Sequence, residues 1–308
     1  MKRDFICLKD YSVQEVQNIL NLAKQVKHNP RHGSDYLKGK SLTLIFQKPS
    51  NRTRVSFETG IHQLGGNVIY LSPDDISLGK REPTADVAKT LSRYVNGIVA
   101  RVYKHQDILD LAKYATVPVI NALSDLSHPC QALADLVTVQ ERFGRLKDVR
   151  MAYVGDGNNM VNSLLLAASR VGMHISVATP KGYEANAEYV ALAQECARMT
   201  GSKIVLTHDP REAVSGAQVV YTDTWVSMGQ EEESQKRLKD FAGFQVDAAL
   251  AALADKNYIF MHCLPAHRGQ EVAEDVIDGP HSVIFDEAEN RLHVQKAIMI
   301  FLYTFKHL

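Results

Sequence analysis

The chain has 308 residues, of which 45% are hydrophobic and 23% are charged, a composition typical of globular proteins. Its 35 Lys and Arg residues balance its 35 Asp and Glu residues, so no overall charge favours nucleic acid or a membrane surface. The length exceeds what one hydrophobic core usually needs and predicts two domains. No run of about 20 apolar residues occurs, so we predict no membrane-spanning helix.

The cysteines and the amino-terminal segment predict a cytoplasmic protein. Four cysteines, at positions 7, 130, 196 and 263, are too far apart for a zinc knuckle or a disulfide framework, which favours reduced thiols. The first residues, Met1–Phe5, lead into no apolar run of the length of a signal peptide.

Short apolar segments alternate with segments of helical periodicity along most of the chain, beginning with a capping box at Ser12–Glu15 that predicts a helix. The candidate strands are Ser41–Phe46, Val68–Leu71, Ile98–Val102, Val117–Ile120, Met151–Val154, Ile175–Ala178, Ile204–Leu206, Val219–Tyr221, Tyr258–Met261 and Val283–Phe285. Strands separated by helices predict parallel sheets covered on both faces. The fold class is therefore α/β, with two doubly wound parallel-sheet domains joined by long interdomain helices.

A polar, glycine-containing stretch at Arg142–Asp148 marks the predicted boundary between the domains. We predict a first domain at residues 1–143 and a second at 144–286. A final helix at 287–308, expected to start near Asp286, should pack back on the first domain.

The segment after the first predicted strand predicts a phosphate site. Ser50 or Asn51 is placed to cap a helix, where free backbone N–H groups meet Arg52, Thr53 and Arg54. Guanidinium groups match phosphate oxygens, although a solvated helix start with surface arginines is the alternative.

Two further strand ends carry polar residues. Arg101 follows one predicted strand, and His128 lies where the next passes into a helix beginning at Pro129. Gln131 is three positions after His128, so one helical turn can present both side chains to one ligand. The alternative is a capping or structural histidine.

A glycine turn at Gly155 and Gly157 resembles a dinucleotide fingerprint, but Met160 replaces its third glycine and the strand at 175–179 ends without an acidic residue. A tight turn that exposes Asn159 to a small ligand fits better. A nicotinamide-dependent oxidoreductase remains the alternative.

Two later loops contain reactive side chains. Asp223, Ser227 and a following glycine suit a lid over an ammonium group, the alternative being an acidic loop whose tryptophan packs on the core. His262, Cys263 and His267 suggest a metal site, but a fourth protein ligand is missing and adjacent residues of an extended chain point to opposite sides. We therefore predict no metal.

Four motifs, in this order and at these separations, resemble the ornithine branch of the aspartate/ornithine carbamoyltransferase family. They are Ser-Xaa-Arg-Thr-Arg at 50–54, His-Pro-Cys-Gln at 128–131, Asp-Xaa-Trp-Xaa-Ser-Met-Gly at 223–229 and His-Cys-Leu-Pro at 262–265. The first marks the wider family, whereas the Ser-Met-Gly and His-Cys-Leu-Pro sequences mark the ornithine branch. Asp223 argues against aspartate as acceptor, which would need cations there.

The resemblance implies transfer of a carbamoyl group from carbamoyl phosphate to the δ-amine of L-ornithine, without metal or organic cofactor. It implies a carbamoyl phosphate site at Ser50, Asn51, Arg52, Thr53, Arg101, His128, Gln131, Cys263, Leu264 and Arg291. Ornithine would contact Asn159, Asp223, Ser227 and Met228, and the catalytic residues would be Arg52, Arg101, His128 and Cys263.

The resemblance also implies a homotrimer or a multiple of trimers, with sites at subunit boundaries. One position departs from the family, because Ser77 stands where a glutamine commonly reaches into a neighbouring site. Lys80 or Arg81 could substitute for that glutamine, or carbamoyl phosphate affinity could be lower. Besides the oxidoreductase, the alternatives are a carbamoyltransferase for another amine and a non-catalytic binding protein.

Overall fold

The structure, a computed structural model, describes residues 2–29, 32–79, 81–227 and 231–304. The chain divides into two compact units. The first unit comprises Met1–Val137 and Glu289–Leu308, and the second comprises Thr138–Ala288. Among the described residues, no helix is long and apolar enough to cross a membrane.

Within its described residues, the first unit contains a four-stranded parallel sheet. Its strands are β1 (Ser41–Phe46), β2 (Asn67–Leu71), β3 (Gly97–Arg101) and β4 (Val119–Leu123). They lie in the order β2-β1-β3-β4. The strands β1, β3 and β4 are almost wholly buried and mostly apolar, as expected for a sheet covered on both faces.

The helices of the first unit follow the predicted alternation with strands. They are α1 (Val13–His28), α2 (Asn51–Gln63), α3 (Pro73–Ile76), α4 (Thr84–Tyr94), α5 (His105–Tyr114) and α6 (Pro129–Phe143), whose last residues belong to the second unit. The predicted capping box is present, since Ser12 and Glu15 satisfy each other's backbone N–H groups.

The second unit contains a five-stranded parallel sheet in its described part. Its strands are β5 (Arg150–Val154), β6 (His174–Ala178), β7 (Ile204–Thr207), β8 (Val219–Thr222) and β9 (Ile259–Met261), in the order β7-β6-β5-β8-β9. Its helices are α7 (Asn159–Val171), α8 (Ala187–Thr200), α9 (Pro210–Val214), α10 (Ser234–Asp240), α11 (Ala248–Ala251) and α12 (Glu274–Ile277). The last helix, α13 (Ile284–Thr304), begins in this unit and continues in the first.

Most predicted strands are present with small shifts of their ends; the strand predicted at Val117–Ile120 is observed at Val119–Leu123. The prediction of a strand at Val283–Phe285 is wrong, because helix α13 begins there. Ser282 forms a single bridge to Phe260, after which Glu287 N–H donates to Val283 O and the chain is already helical. The helix expected from Asp286 therefore begins at Ile284, because acidic residues in its first turn favour a helix start over a sixth strand.

Candidate active site

In the first unit, the predicted polar residues follow the carboxyl ends of adjacent strands. Arg101, the last residue of β3, pairs in register with Phe46 at the end of β1 and with Leu123 at the end of β4. Parallel strands bring these ends to one edge of the sheet, where ligands of open α/β sheets bind. The segment after β1 that leads into α2 and the segment after β4 that leads to His128 therefore start from the same edge.

The start of α2 has a capped, cationic structure. Ser50 caps the helix by accepting a hydrogen bond from the N–H of Thr53 at 3.4 Å, and Asn51 is the first helical residue. Arg52 is half-buried here. The prediction that Arg54 also faces this site is not supported, because Arg54 donates to Glu58 at 2.8 Å and lies over an aromatic ring.

Arg291, in α13, joins the residues of α2 and α6 within the first unit. Its guanidinium donates to Oε1 of Gln131 at 2.5 Å and to Oγ1 of Thr53 at 3.2 Å. The Gln131 amide donates in turn to Asp135 at 2.8 Å. Arg101 and Arg291 are only 6% and 3% exposed, so their charges act in a medium of low polarity.

His128 is buried close to the charges of these arginines. Burial lowers the pKa of His128 well below its ordinary value of 6.5, and the charges of Arg291, Arg101 and Arg52 lower it further. The imidazole is therefore neutral at pH 7 and can donate one hydrogen bond without carrying charge. Three arginines around one neutral histidine form a site suited to a dianion such as a phosphate ester.

A buried hydrogen-bond network fixes the turn before His128. The side chain of Asn121, on β4, donates to Oγ of Ser127 at 3.2 Å and to the backbone oxygen of Ile6 at 3.0 Å. Ser124 and Ser127 also bond to each other's backbone. His128 thus enters α6 from a rigid turn, with Pro129 as the first helical residue.

In the second unit, Asp223, which the sequence predicts to bind ornithine, accepts hydrogen bonds from three other residues. One carboxylate oxygen accepts from the side-chain amide of Asn158 at 2.8 Å. The other accepts from the N–H of Thr224 at 2.8 Å and from the thiol of Cys263 at 3.1 Å. Asp223 is 7% exposed, so a cation that reaches it meets a carboxylate largely shielded from solvent.

Two of the remaining residues predicted to bind substrate in this unit, Asn159 and Leu264, are sequence neighbours of residues that bond to Asp223. Asn159 is the first residue of α7 and directly follows Asn158, and Ser227 is partly exposed. Leu264 follows Cys263 in the left-handed region, with a φ of 58°, an uncommon conformation for a leucine. Met228 lies outside the described residues, as does Lys80 in the first unit.

His262 and Glu271 form a buried pair that the sequence alone did not indicate. The N–H of Leu264 donates to Nδ1 of His262 at 2.8 Å, so Nε2 carries the proton and faces Oε1 of Glu271 at 3.3 Å. Burial raises the pKa of Glu271, but hydrogen bonds from His262 and from the N–H of His267 outweigh it and lower the pKa below its ordinary value.

Asp223, His262 and Cys263 place three potential metal-ligating atoms within 4.8 Å of one another. To bind a metal through Nδ1, His262 would have to give up the hydrogen bond from Leu264. Three ligands also leave a structural zinc site one short. The absence of a metal stays a prediction.

The glycine turn after β5 does not offer the amide groups that a dinucleotide needs. Asn158 caps α7 by accepting from the N–H groups of residues 160 and 161, and Gly157 donates its N–H to Tyr183 O at 2.9 Å. A Cβ on Gly157 would lie 2.3 Å from the backbone of Glu184, so this glycine permits close packing of two loops. The turn therefore orients Asn158 and does not support binding of a pyrophosphate.

Comparison with known families identifies both units. The family model described as "Aspartate/ornithine carbamoyltransferase, carbamoyl-P binding domain" matches residues 3–141, and the model described as "Aspartate/ornithine carbamoyltransferase, Asp/Orn binding domain" matches residues 147–302. The chain belongs to the aspartate/ornithine carbamoyltransferase family.

Several similar proteins of this family are named ornithine carbamoyltransferases. The chain is 54% identical to an ornithine carbamoyltransferase of Thermococcus kodakarensis, over 96% of this chain and 95% of the relative. A solved ornithine carbamoyltransferase structure from Pyrococcus furiosus is 53% identical, with a TM-score of 0.93 and coverage of 96% of both chains. An anabolic ornithine carbamoyltransferase of Campylobacter jejuni, 43% identical, also gives a TM-score of 0.93, over 98% of this chain and 99% of that one.

Sequence reasoning missed Asn158 and Glu271 in this carbamoyltransferase for different reasons. An asparagine directly before a helix is a recognisable cap, so Asn158 could have been found as the residue that orients the turn. Glu271 belongs to no regular pattern, and its distance of nine positions from His262 becomes a contact only through the fold of the loop.

Proposed function

We propose that this protein transfers the carbamoyl group of carbamoyl phosphate to the δ-amine of L-ornithine, giving L-citrulline and phosphate. The observation that supports this function most directly is the group of three arginines around the neutral His128 in the first unit. A buried carboxylate in the second unit, Asp223, complements it as a site for a cationic acceptor. The names of the similar proteins agree with this assignment.

Carbamoyl phosphate binds at the start of α2 and beside the buried arginines. Arg52 and the capped helix start, with Ser50 and Asn51, hold the phosphate, because guanidinium and backbone N–H groups both donate to phosphate oxygens. Arg101 and His128 donate to the carbonyl oxygen. A further set supports the carbamoyl end: Thr53, Gln131 and Arg291, which are joined by hydrogen bonds.

Ornithine binds through its amino-acid end to the second unit. Asp223 accepts from an ammonium group, with Asn158 and Thr224 orienting its two oxygens. Three further residues were predicted from the resemblance and complete the proposed ornithine site: Asn159, Ser227 and Met228. Cys263 and Leu264 are proposed to lie beside the reacting amine and the carbamoyl group.

The reaction needs no covalent intermediate with the protein. The neutral δ-amine forms a bond to the carbonyl carbon, charge develops on the carbonyl oxygen, and the carbon–oxygen bond to phosphate then breaks. The phosphate leaves with the bonding electrons, and the nitrogen loses its extra proton. Orientation of the two substrates contributes roughly 7–11 kcal/mol, and each preorganised donor to the developing oxyanion, such as Arg101, about 3–4 kcal/mol.

The acceptor is decided by a product assay. Purified protein is incubated with carbamoyl phosphate and, separately, ornithine, N-acetylornithine, putrescine or aspartate, and each carbamoylated product is quantified. Citrulline formed from ornithine alone is the expected result. A product from putrescine or N-acetylornithine instead would keep the carbamoyl phosphate site and overturn the assignment of Asp223.

We further infer synthesis of citrulline as the physiological direction and a homotrimer, or a multiple of trimers, as the assembly. Relatives from Pyrococcus furiosus and Campylobacter jejuni carry the word anabolic in their names. Val55 on α2 and Ile69 on the edge strand β2 are 54% and 45% exposed and provide apolar surface for another copy. Sedimentation at the 34.3 kDa mass of one chain would contradict the trimer. A cytoplasmic location stays a prediction from the sequence.

A further inference from the structure

Arg237, in α10, is a buried arginine that donates three hydrogen bonds within the second unit. Its Nη1 atom donates to the carboxylate of Asp156 and to the backbone oxygen of Trp225, each at 2.9 Å. Its Nε atom donates to Glu233 at 3.0 Å. Both Arg237 and Asp156 are 6% exposed, so this ion pair is shielded from water and salt.

Asp156 connects this ion pair to the carboxylate proposed to bind ornithine. It lies in the glycine turn, two residues before Asn158. The hydroxyl of Tyr153 donates to the backbone oxygen of Asp156 at 2.8 Å and lies 3.4 Å from the side-chain oxygen of Asn158. Asn158 then donates to Asp223 at 2.8 Å. A displacement of the glycine turn would therefore move Asn158 and, with it, the carboxylate of Asp223.

Trp225 connects the same guanidinium to the segment after β8. Its backbone oxygen stands two residues after Asp223 and two before Ser227. Its indole is 5% exposed and packs against Phe241, with ring centroids 5.5 Å apart. One guanidinium therefore holds both the glycine turn and the segment that contains Asp223 and Ser227.

Stability alone is a poor explanation for this pair. Desolvation of two buried charges cancels much of their attraction, so an apolar pair of similar size would often stabilise a fold as well. Burial raises the pKa of Asp156 to about 6 even though the charge of Arg237 opposes the shift. An apolar pair could not supply a guanidinium group that donates hydrogen bonds to two chain segments at once.

We propose that Arg237 and Asp156 act as a positioning pair that holds Asp223 in place for the amino-acid end of ornithine. This inference rests on the proposed function. It assigns no contact with substrate to either residue. Loss of the pair should therefore weaken ornithine binding and leave carbamoyl phosphate binding almost unchanged.

The test measures both Michaelis constants in Arg237→Gln, Asp156→Asn and the double variant. The KM for ornithine should rise about tenfold or more in each single variant, and the KM for carbamoyl phosphate should stay within about twofold. The double variant should be no worse than the worse single variant, because the two residues act as one unit. Equal rises in both constants, or an unchanged ornithine KM in the nearly isosteric Asp156→Asn, would overturn the proposal even if Arg237→Gln did not fold.

Two controls separate this inference from the function it rests on. Arg268→Gln removes an exposed arginine whose partner is Asp278, at 2.6 and 2.7 Å, and should leave both constants unchanged. If the wild-type protein makes no citrulline, the proposed function fails irrespective of any variant.

Fluorescence of Trp225, the single tryptophan, gives a readout without turnover. L-norvaline, which has the amino-acid end of ornithine but lacks the δ-amine, should change the emission of the wild-type protein in the presence of carbamoyl phosphate. Asp156→Asn should need about tenfold more norvaline for the same change. An identical titration of the two proteins would count against the positioning pair.

Discussion

The thiol of Cys263 lies 3.1 Å from Oδ1 of Asp223, although the two residues are 40 positions apart in the chain. That oxygen also accepts the N–H of Thr224, and the other carboxylate oxygen accepts from Asn158. The thiol therefore belongs to the hydrogen-bond network that orients the carboxylate. Any change at Cys263 should alter the acceptor site through Asp223.

Replacement of Cys263 by alanine should raise the KM for ornithine and lower kcat together. The alanine removes one donor to the carboxylate, and such a hydrogen bond is worth about 1–2 kcal/mol, or roughly five- to thirtyfold in kcat/KM. Cys263→Ser keeps a donor of similar size and should retain more activity. Steady-state kinetics of both variants checks this, and wild-type constants in Cys263→Ala would make the thiol a packing residue.

Replacement of Asp223 by asparagine should damage ornithine binding far more than carbamoyl phosphate binding. The change removes the negative charge that attracts an ammonium group, and charge-assisted hydrogen bonds contribute about 1.5–3 kcal/mol. The KM for ornithine should therefore rise roughly ten- to hundredfold, as measured with carbamoyl phosphate saturating. Equal increases in the two Michaelis constants would contradict the assignment of Asp223 to the acceptor.

Replacement of Arg52 by glycine should remove nearly all activity, because it deletes the guanidinium at the capped start of α2. Loss of two charge-assisted hydrogen bonds predicts a decrease in kcat/KM for carbamoyl phosphate of about 10²- to 10⁴-fold. Arg54→Gly is the matched control, since it lowers helix propensity equally but removes an arginine engaged by Glu58. Near-normal turnover in Arg52→Gly would refute the phosphate site.

Because His128 is neutral in the folded protein, it should make the free energy of unfolding decrease as pH falls. Its pKa in the folded protein is lowered by burial and by the neighbouring arginines, so the unfolded chain takes up its proton first as pH falls. The contribution of His128 to stability is therefore complete above about pH 6.5 and is lost as pH falls below that value.

Urea unfolding at pH 7.5 and pH 5.5 measures this contribution. Burial also lowers the pKa values of His105 and His293, so the comparison is made between wild type and His128→Asn. The wild-type protein should lose more free energy of unfolding between the two pH values than the variant. The same loss in both proteins would show that His128 does not titrate as described.

The sequence determined the layers of the fold. Strands such as Ser41–Phe46 were recognisable because a strand buried on both faces is mostly apolar along its length. Ser12 with Glu15, and Pro129 at a helix start, were recognisable because capping is a local interaction. The segment Val283–Phe285 was misread, since three apolar residues look alike at the start of a buried helix and in a buried strand.

The motifs likewise located the loops where chemistry occurs, because parallel strands place their carboxyl ends on one edge of a sheet. Motif resemblance also indicated the carbamoyltransferase family, to which both family models assign the chain. Order along the chain could not tell which side chains meet within each loop. From the sequence, Arg52 and Arg54 were equally good candidates for the phosphate site. In the structure, Arg54 donates a hydrogen bond to Glu58 instead.

Only the tertiary structure decided the long-range partners. Arg291 reaches Thr53 and Gln131 although 238 and 160 positions separate them, and Arg237 reaches Asp156 across 81 positions. No local propensity encodes such contacts, because an arginine on a helix is equally compatible with solvent and with a buried partner. The packing of the helices on the sheets selects the partner, and it removes the water that would otherwise screen the charges.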